Sequence, residues 1–93
     1  MGSELKVIGK SENIDVQTES TIFYIMKDAY ENKKNFDYVT ARCRESFGGS
    51  WIMIYFETMK SVEYDMSFAF TYLKWIKFTG GFAKYYLFQI TEK

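Results

Sequence analysis

The last 43 residues of this chain, 51–93, constrain its fold most, because they hold 13 of its 19 aromatic residues in strand-like runs. Several of these runs are apolar at consecutive positions, so both faces of the resulting sheet would be apolar. A chain of 93 residues buries a limited share of its surface, and its own helices can cover one face of such a sheet. The sequence therefore predicts a second protein chain against the other face.

The overall composition argues against several classes of function. Twelve basic residues balance twelve acidic ones, so no net charge attracts nucleic acid or an anionic membrane. The chain has no His and a single cysteine, Cys43, which leaves neither an internal disulfide nor the commonest general base. The longest apolar run, from Trp51 to Phe56, is far shorter than the ~20 residues of a membrane helix. We therefore expect no enzymatic activity, cofactor, metal or membrane span, and a cytosolic location.

Two helices are predicted in tandem in the first half of the chain. Apolar residues recur at three- and four-residue spacing between about 15 and 33, and Asp15 or Thr18 could cap this helix. After a polar break a second apolar stripe follows, which Gly48 and Gly49 end. The first stripe consists of Ile22, Ile25, Met26, Ala29 and Tyr30, and the second of Phe36, Val39, Cys43 and Phe47.

The apolar period changes beyond Ser50 from about 3.6 residues to two, which predicts strands. Residues 51–56 are apolar throughout, as in a strand covered on both sides, and residues 59–67 alternate between apolar and polar side chains. A short β-branched strand is also predicted at 5–8. The chain is therefore predicted to form one α+β domain, 1–93, with two tandem helices packed on a mostly antiparallel sheet.

A hairpin is predicted near the end of the chain. Gly80-Gly81 suits a two-residue turn, which would pair Thr79 with Phe82 and set Lys77 opposite Lys84. In this register one face of the hairpin carries Leu73, Trp75, Tyr86, Phe88 and Ile90, and the other carries Tyr72, Ile76, Phe78, Tyr85 and Leu87.

Several short residue patterns occur at particular places in this order of helices and strands. They are Lys6-Val7-Ile8 followed by Asn13-Ile14, Glu45 and Phe47 near the end of the second helix, Trp51 at the start of a strand, and Phe70, Tyr72 and Leu73 in the next-to-last strand. With one short strand, two helices and four strands, the chain resembles the small dynein light chain family over nearly its whole length. This family comprises the dimeric cargo-adaptor subunit of cytoplasmic dynein and related tegument proteins.

The resemblance implies a homodimer in which one strand of each chain crosses to pair with the sheet of the other. Here that strand would be residues 59–65. Two grooves would lie beside the crossed strands, and an extended peptide would add to the edge of each, with avidity for dimeric clients. Two alignments of the crossed strand stay open, since Ser61 matches either the family's Ser or the first residue of its Thr-His-Glu.

The resemblance also implies a set of functional residues and partners. Expected partners are a second copy, the dynein intermediate chain and other proteins with linear motifs, in the cytoplasm and on the cytoskeleton. The alternative is a dimeric cytoskeletal module that has no peptide-binding activity. The implied peptide-binding residues are Lys60, Ser61, Val62, Glu63, Tyr64, Phe70 and Tyr72, and the implied dimer interface is Trp51, Ile52, Ile54 and Val62.

Two departures from the family pattern concern this proposed site. The family holds a glutamine of its peptide with an acidic residue and a Lys at the start of the second helix, where this chain has Asn35, Phe36 and Asp37. A different client motif is therefore expected. Ile52 replaces the His that the family has just after the Trp, which predicts a dimer insensitive to pH near neutrality.

Overall fold

The computed structural model describes residues 4–57, 74–81 and 83–91. This part of the chain is a small α+β fold with two helices and a four-stranded antiparallel sheet, which confirms the predicted class. The predicted strand at 59–67 lies outside the described residues. The elements are β1 (Lys6–Lys10), α1 (Val16–Asn32), α2 (Phe36–Phe47), β2 (Ser50–Glu57), β3 (Lys74–Gly80) and β4 (Ala83–Thr91).

Both helices begin at a residue whose side chain caps the first turn. The Asp15 carboxylate accepts a hydrogen bond from the Thr18 backbone N–H at 2.7 Å, so Asp15 is the cap of α1. This bond holds the pKa of the Asp15 carboxyl below its usual value. The Asn35 side-chain oxygen likewise accepts from the Tyr38 N–H at 3.0 Å. Each cap satisfies a backbone donor that the helix itself leaves without a partner.

The predicted glycine stop ends α2 and also joins three elements. Gly48 and Gly49 both have positive φ, at 76° and 78°, a region that favours glycine. The Gly48 carbonyl oxygen accepts hydrogen bonds from Trp51 Nε1 at 2.8 Å and from Gln89 Nε2 at 3.1 Å. These hydrogen bonds connect the end of α2 to the start of β2 and to Gln89 near the end of β4.

The four strands lie in the order β1-β3-β4-β2, and all three pairings are antiparallel. The predicted register of the β3–β4 hairpin was wrong by two residues, because Gly80 pairs with Ala83 and Lys77 lies opposite Tyr86. Gly81 supplies the positive φ of the turn, at 62°. Gly80 instead allows the Tyr30 ring to pack on the backbone, where a Cβ atom would lie 2.9 Å from the ring.

The two-residue shift leaves the side chains of the described strand residues on their predicted faces of the hairpin, whereas Tyr72 and Leu73 lie outside the described residues. The helix-facing side carries Ile76 and Phe78 of β3 and Tyr85 and Leu87 of β4, all of them buried. Both helices pack on this face, and their buried residues complete the core. From α1 these are Ile22, Ile25, Met26 and Ala29, and from α2 they are Val39 and Cys43.

The opposite face of the sheet is partly buried within a single chain. Tyr86 and Phe88 retain only 2% and 3% of their accessible surface there. These two side chains are therefore buried without a second chain, and a second chain against the rest of this face stays a prediction. Exposed apolar groups among the described strands lie toward the sheet edges, at Ile8 in β1 and at Ile52 and Tyr55 in β2.

Candidate functional site

The residues predicted to bind peptide lie outside the described part of the chain, as does Val62 of the predicted dimer interface. The other three interface residues are in β2. Ile52 and Ile54 lie on the face away from the helices, since they pair with Phe88 and Tyr86. Their participation in a dimer interface stays a prediction. Lys60, Ser61, Val62, Glu63, Tyr64, Phe70 and Tyr72 are the predicted residues that the structure does not describe.

Trp51 lies in the core of its own chain rather than beside Ile52 and Ile54. It is buried on the helix-facing side, its ring is 5.8 Å from that of Phe47, and its Nε1 donates to the Gly48 carbonyl. Successive side chains of a strand point to opposite faces, so Trp51 and Ile52 cannot share one surface. We therefore assign Trp51 a structural role in placing the start of β2.

The outer edge of β2 is the most distinctive feature of the described sheet. β2 is a terminal strand in the order β1-β3-β4-β2, and none of the described strands pairs with its outer side. It is eight residues long, and residues 51–56 include no charged residue. A long apolar edge strand is a template for pairing with another strand, and natural proteins usually protect such an edge.

The other terminal strand, β1, has that protection. It is five residues long, carries Lys6 and Lys10 at its ends, and has a bulge between Val7 and Gly9. The Lys10 ammonium forms an ion pair with Glu19 of α1 at 2.7 Å. Shortness, terminal lysines and a bulge are the features that discourage edge pairing. Strand addition is therefore favoured at β2 and disfavoured at β1.

Three aromatic rings form a shelf beside the open edge of β2. The Phe36 ring, at the start of α2, lies 5.3 Å from the Tyr55 ring and 6.3 Å from the Tyr85 ring, and the two tyrosine rings are 5.2 Å apart. Phe36 and Tyr55 remain 38% and 37% exposed. We call these three residues the aromatic shelf. With Ile52 on the opposite face, the open edge has exposed apolar surface above and below it.

A polar network fixes the start of α2 against α1 and so positions the shelf. The Tyr38 hydroxyl donates a hydrogen bond to the Asp28 carboxylate, which also accepts from Asn32 Nδ2 at 2.6 Å. Arg42 Nη1 donates to the Tyr38 oxygen at 2.8 Å. The hydrogen bond from Tyr38 lowers the pKa of Asp28 and raises the pKa of Tyr38. The network thus favours the carboxylate and the neutral phenol, and is intact at neutral pH.

The single cysteine is a core residue. Cys43 is fully buried on the core side of α2, as predicted from its place in the apolar stripe. Burial raises the pKa of its thiol to about 12. Because the thiolate is the reactive form of cysteine, the native thiol lacks the properties of a nucleophile.

We expect Cys43 in the native protein to react with a thiol reagent at least a hundredfold more slowly than in the urea-unfolded chain, even at pH 9. The raised pKa keeps the thiol neutral, and the core excludes the reagent. Absorbance-monitored labelling with an aromatic disulfide checks this, and the unfolded chain is the control. Native labelling at the unfolded rate would contradict the burial.

The described part of the chain contains no group of three or more His, Cys, Asp or Glu side chains arranged to hold a metal ion. Within the same residues, neither helix has the length and apolar character needed to cross a membrane. The chain matches no protein-family model, no curated protein and no solved structure. The resemblance to dynein light chains consequently remains a prediction from the sequence.

Proposed function

We propose that this protein is a non-enzymatic, dynein light chain-like homodimeric hub, which binds extended segments of partner proteins by strand addition. It would work in the cytoplasm with a microtubule motor complex, through the dynein intermediate chain or other proteins with linear motifs. The observation that best supports this proposal is the outer edge of β2, which no described strand covers and which carries no charged residue from 51 to 56. The order of elements and the two tandem helices on an antiparallel sheet are consistent with it.

Strand addition suits the geometry of this edge. At ~3.4 Å per residue, the eight residues of β2 offer about 27 Å of backbone to a neighbouring strand. Backbone hydrogen bonds supply affinity in such complexes, and pockets for alternate side chains supply selectivity. The aromatic shelf provides such a surface on the helix-facing side of the edge, and Ile52 provides one on the other side.

The proposed dimer combines the outer edge of β2 with the strand that the sequence predicts at residues 59–65. Residues 59–65 of a second copy would extend the sheet at β2, and the client segment would lie alongside, bound by residues 60–64 with Phe70 and Tyr72. Ile52 and Ile54 would then pack against the second copy. Trp51 would act indirectly, since it holds the start of β2 through Phe47 and Gly48.

Sedimentation and peptide selection test the proposal together. We expect a dimer by analytical ultracentrifugation at micromolar concentration and a recurrent motif from a library of extended peptides. A monomer at that concentration would contradict the proposal of a homodimeric hub. A dimer that selects no motif would instead favour the cytoskeletal module without peptide binding.

A charge placed on the open edge should disrupt assembly selectively. We expect Ile52→Lys to weaken dimerisation at least tenfold, because an ammonium at a strand-pairing apolar surface must be desolvated. Val16→Lys is the matched control, since Val16 is an exposed β-branched residue on α1, remote from β2. Ultracentrifugation measures both variants, and circular dichroism verifies their folding. Equal dimerisation of the two variants would contradict a role for this edge.

A further inference from the structure

A cavity of about 210 Å³ adjoins the aromatic shelf and shares Phe36 and Tyr85 with it. It lies where the end of α1 and the start of α2 meet above β4, and its apolar wall includes Met26, Ala29 and Val39, all buried. An apolar cavity of about 150 Å³ is large enough to bind benzene. The space beside the shelf therefore accommodates a ring or a large aliphatic side chain.

The charged residues of this cavity are both cationic. Lys33 and Lys34 line it, whereas no carboxylate among the described residues does. Asp28, Glu31 and Asp37 belong to the neighbouring helical turns but do not form its wall. The backbone N–H groups of both lysines donate to the Ala29 carbonyl, which fixes this short connection between the helices. The cavity thus combines an apolar interior with a positive rim.

We infer that the client segment inserts a large apolar, preferably aromatic, side chain beside Phe36 and carries an acidic residue next to it that pairs with Lys33 and Lys34. The inference rests on the proposed function, because it assigns a ligand chemistry to the client groove, which lies beside the strand that the second copy would add at β2. Side chains alternate along an added strand, so every second residue points toward the helices. Phe36 and Tyr55 expose their rings on that side, where aromatic packing adds stability beyond the area buried.

The preference for an acidic neighbour follows from the charges around the cavity. An exposed ion pair contributes little to binding free energy. Two cations next to an apolar pocket nevertheless disfavour a basic residue at the neighbouring position of the client. The selected motif should therefore contain Phe, Tyr, Trp or Leu with Asp or Glu adjacent or two residues away. This chemistry differs from the glutamine recognition implied by the family resemblance, whose acidic residue and Lys are replaced here by Asn35, Phe36 and Asp37.

Positional scanning of the peptides selected by the wild-type protein tests the inference. We expect Phe36→Ala to weaken the binding of the aromatic peptides at least tenfold, as measured by fluorescence anisotropy. Lys33→Glu/Lys34→Glu should reverse the preference from an acidic to a basic neighbour, and these exposed lysines can be changed without altering the core. Tyr24→Ala is the control, since Tyr24 is an exposed aromatic residue on α1 that does not line the cavity.

The outcomes separate this inference from the proposed function. A selected motif that binds the Phe36 and lysine variants as tightly as the wild-type protein would overturn the inference and leave the peptide-binding hub intact. A library that yields no motif would overturn both. The assigned ligand would be supported if Phe36→Ala lost the preference for an aromatic side chain and the lysine variant preferred a basic neighbour to an acidic one.

Discussion

Gly49→Ala should destabilise the protein by about 3 kcal/mol or more, which combines the strain of a left-handed residue with that of overpacking. Gly49 has φ of 78°, and a Cβ atom there would lie 1.9 Å from the Thr91 carbonyl oxygen. This neighbour is backbone in β4, so it cannot move aside by changing a rotamer. Relief would require separating the start of β2 from the end of β4, where Ser50 and Thr91 are paired.

Urea denaturation followed by circular dichroism measures this loss, and Gly9→Ala is the matched control. At Gly9 the nearest atoms to an added Cβ belong to the Trp75 ring, at 3.4 Å and 3.7 Å, and φ is not positive. The control should therefore change the free energy of unfolding by less than about 1 kcal/mol. Equal stabilities for the two variants would show that the turn between α2 and β2 relaxes more easily than its geometry indicates.

Phe78→Ala should cost about 3–5 kcal/mol of unfolding free energy, the range for a large aromatic residue removed from a core. Phe78 is fully buried, lies opposite Val7 of β1 and Tyr85 of β4, and has its ring 6.4 Å from that of Phe23 in α1. Its removal would leave a cavity between the sheet and α1. Since small domains have about 5–15 kcal/mol of total stability, much of the protein would be unfolded at 37 °C.

Differential scanning calorimetry and urea denaturation check this loss. Tyr24→Ala serves as the control because Tyr24 is an aromatic residue on α1 that is largely exposed, and its change should stay within about 0.5 kcal/mol. A loss below about 1 kcal/mol in Phe78→Ala would mean that the core collapses around the missing ring.

The local patterns predicted the described helices and strands well, because apolar residues recur with a period of about 3.6 in a helix and of two in a strand. The α1 stripe and the glycine stop of α2 are present as predicted, and of the two predicted caps of α1 the structure has Asp15 rather than Thr18. The faces of the described hairpin residues were also predicted correctly, although the register was not. Which glycine begins the turn depends on Tyr30, which packs against Gly80 from a helix fifty residues earlier. A sequence pattern contains no information on that contact.

The candidate site was predicted less completely. Sequence reasoning concentrated on residues 59–72 and missed the aromatic shelf, whose members come from α2, β2 and β4. One signal was available, since an uninterrupted apolar run in a terminal strand leaves apolar surface at its open side. The order of strands in the sheet, which makes β2 terminal, depends on tertiary packing and could not be derived from periodicity.

The pairing of β1 with β3 has a consequence for synthesis on the ribosome. Lys6 pairs with Thr79 and Lys10 with Ile76, so the first strand lacks this neighbour until β3 has been made. Sequence-distant pairings of this kind slow folding and leave partly made chains prone to aggregation. The nascent polypeptide must therefore emerge as far as the end of β4 before this sheet can assemble.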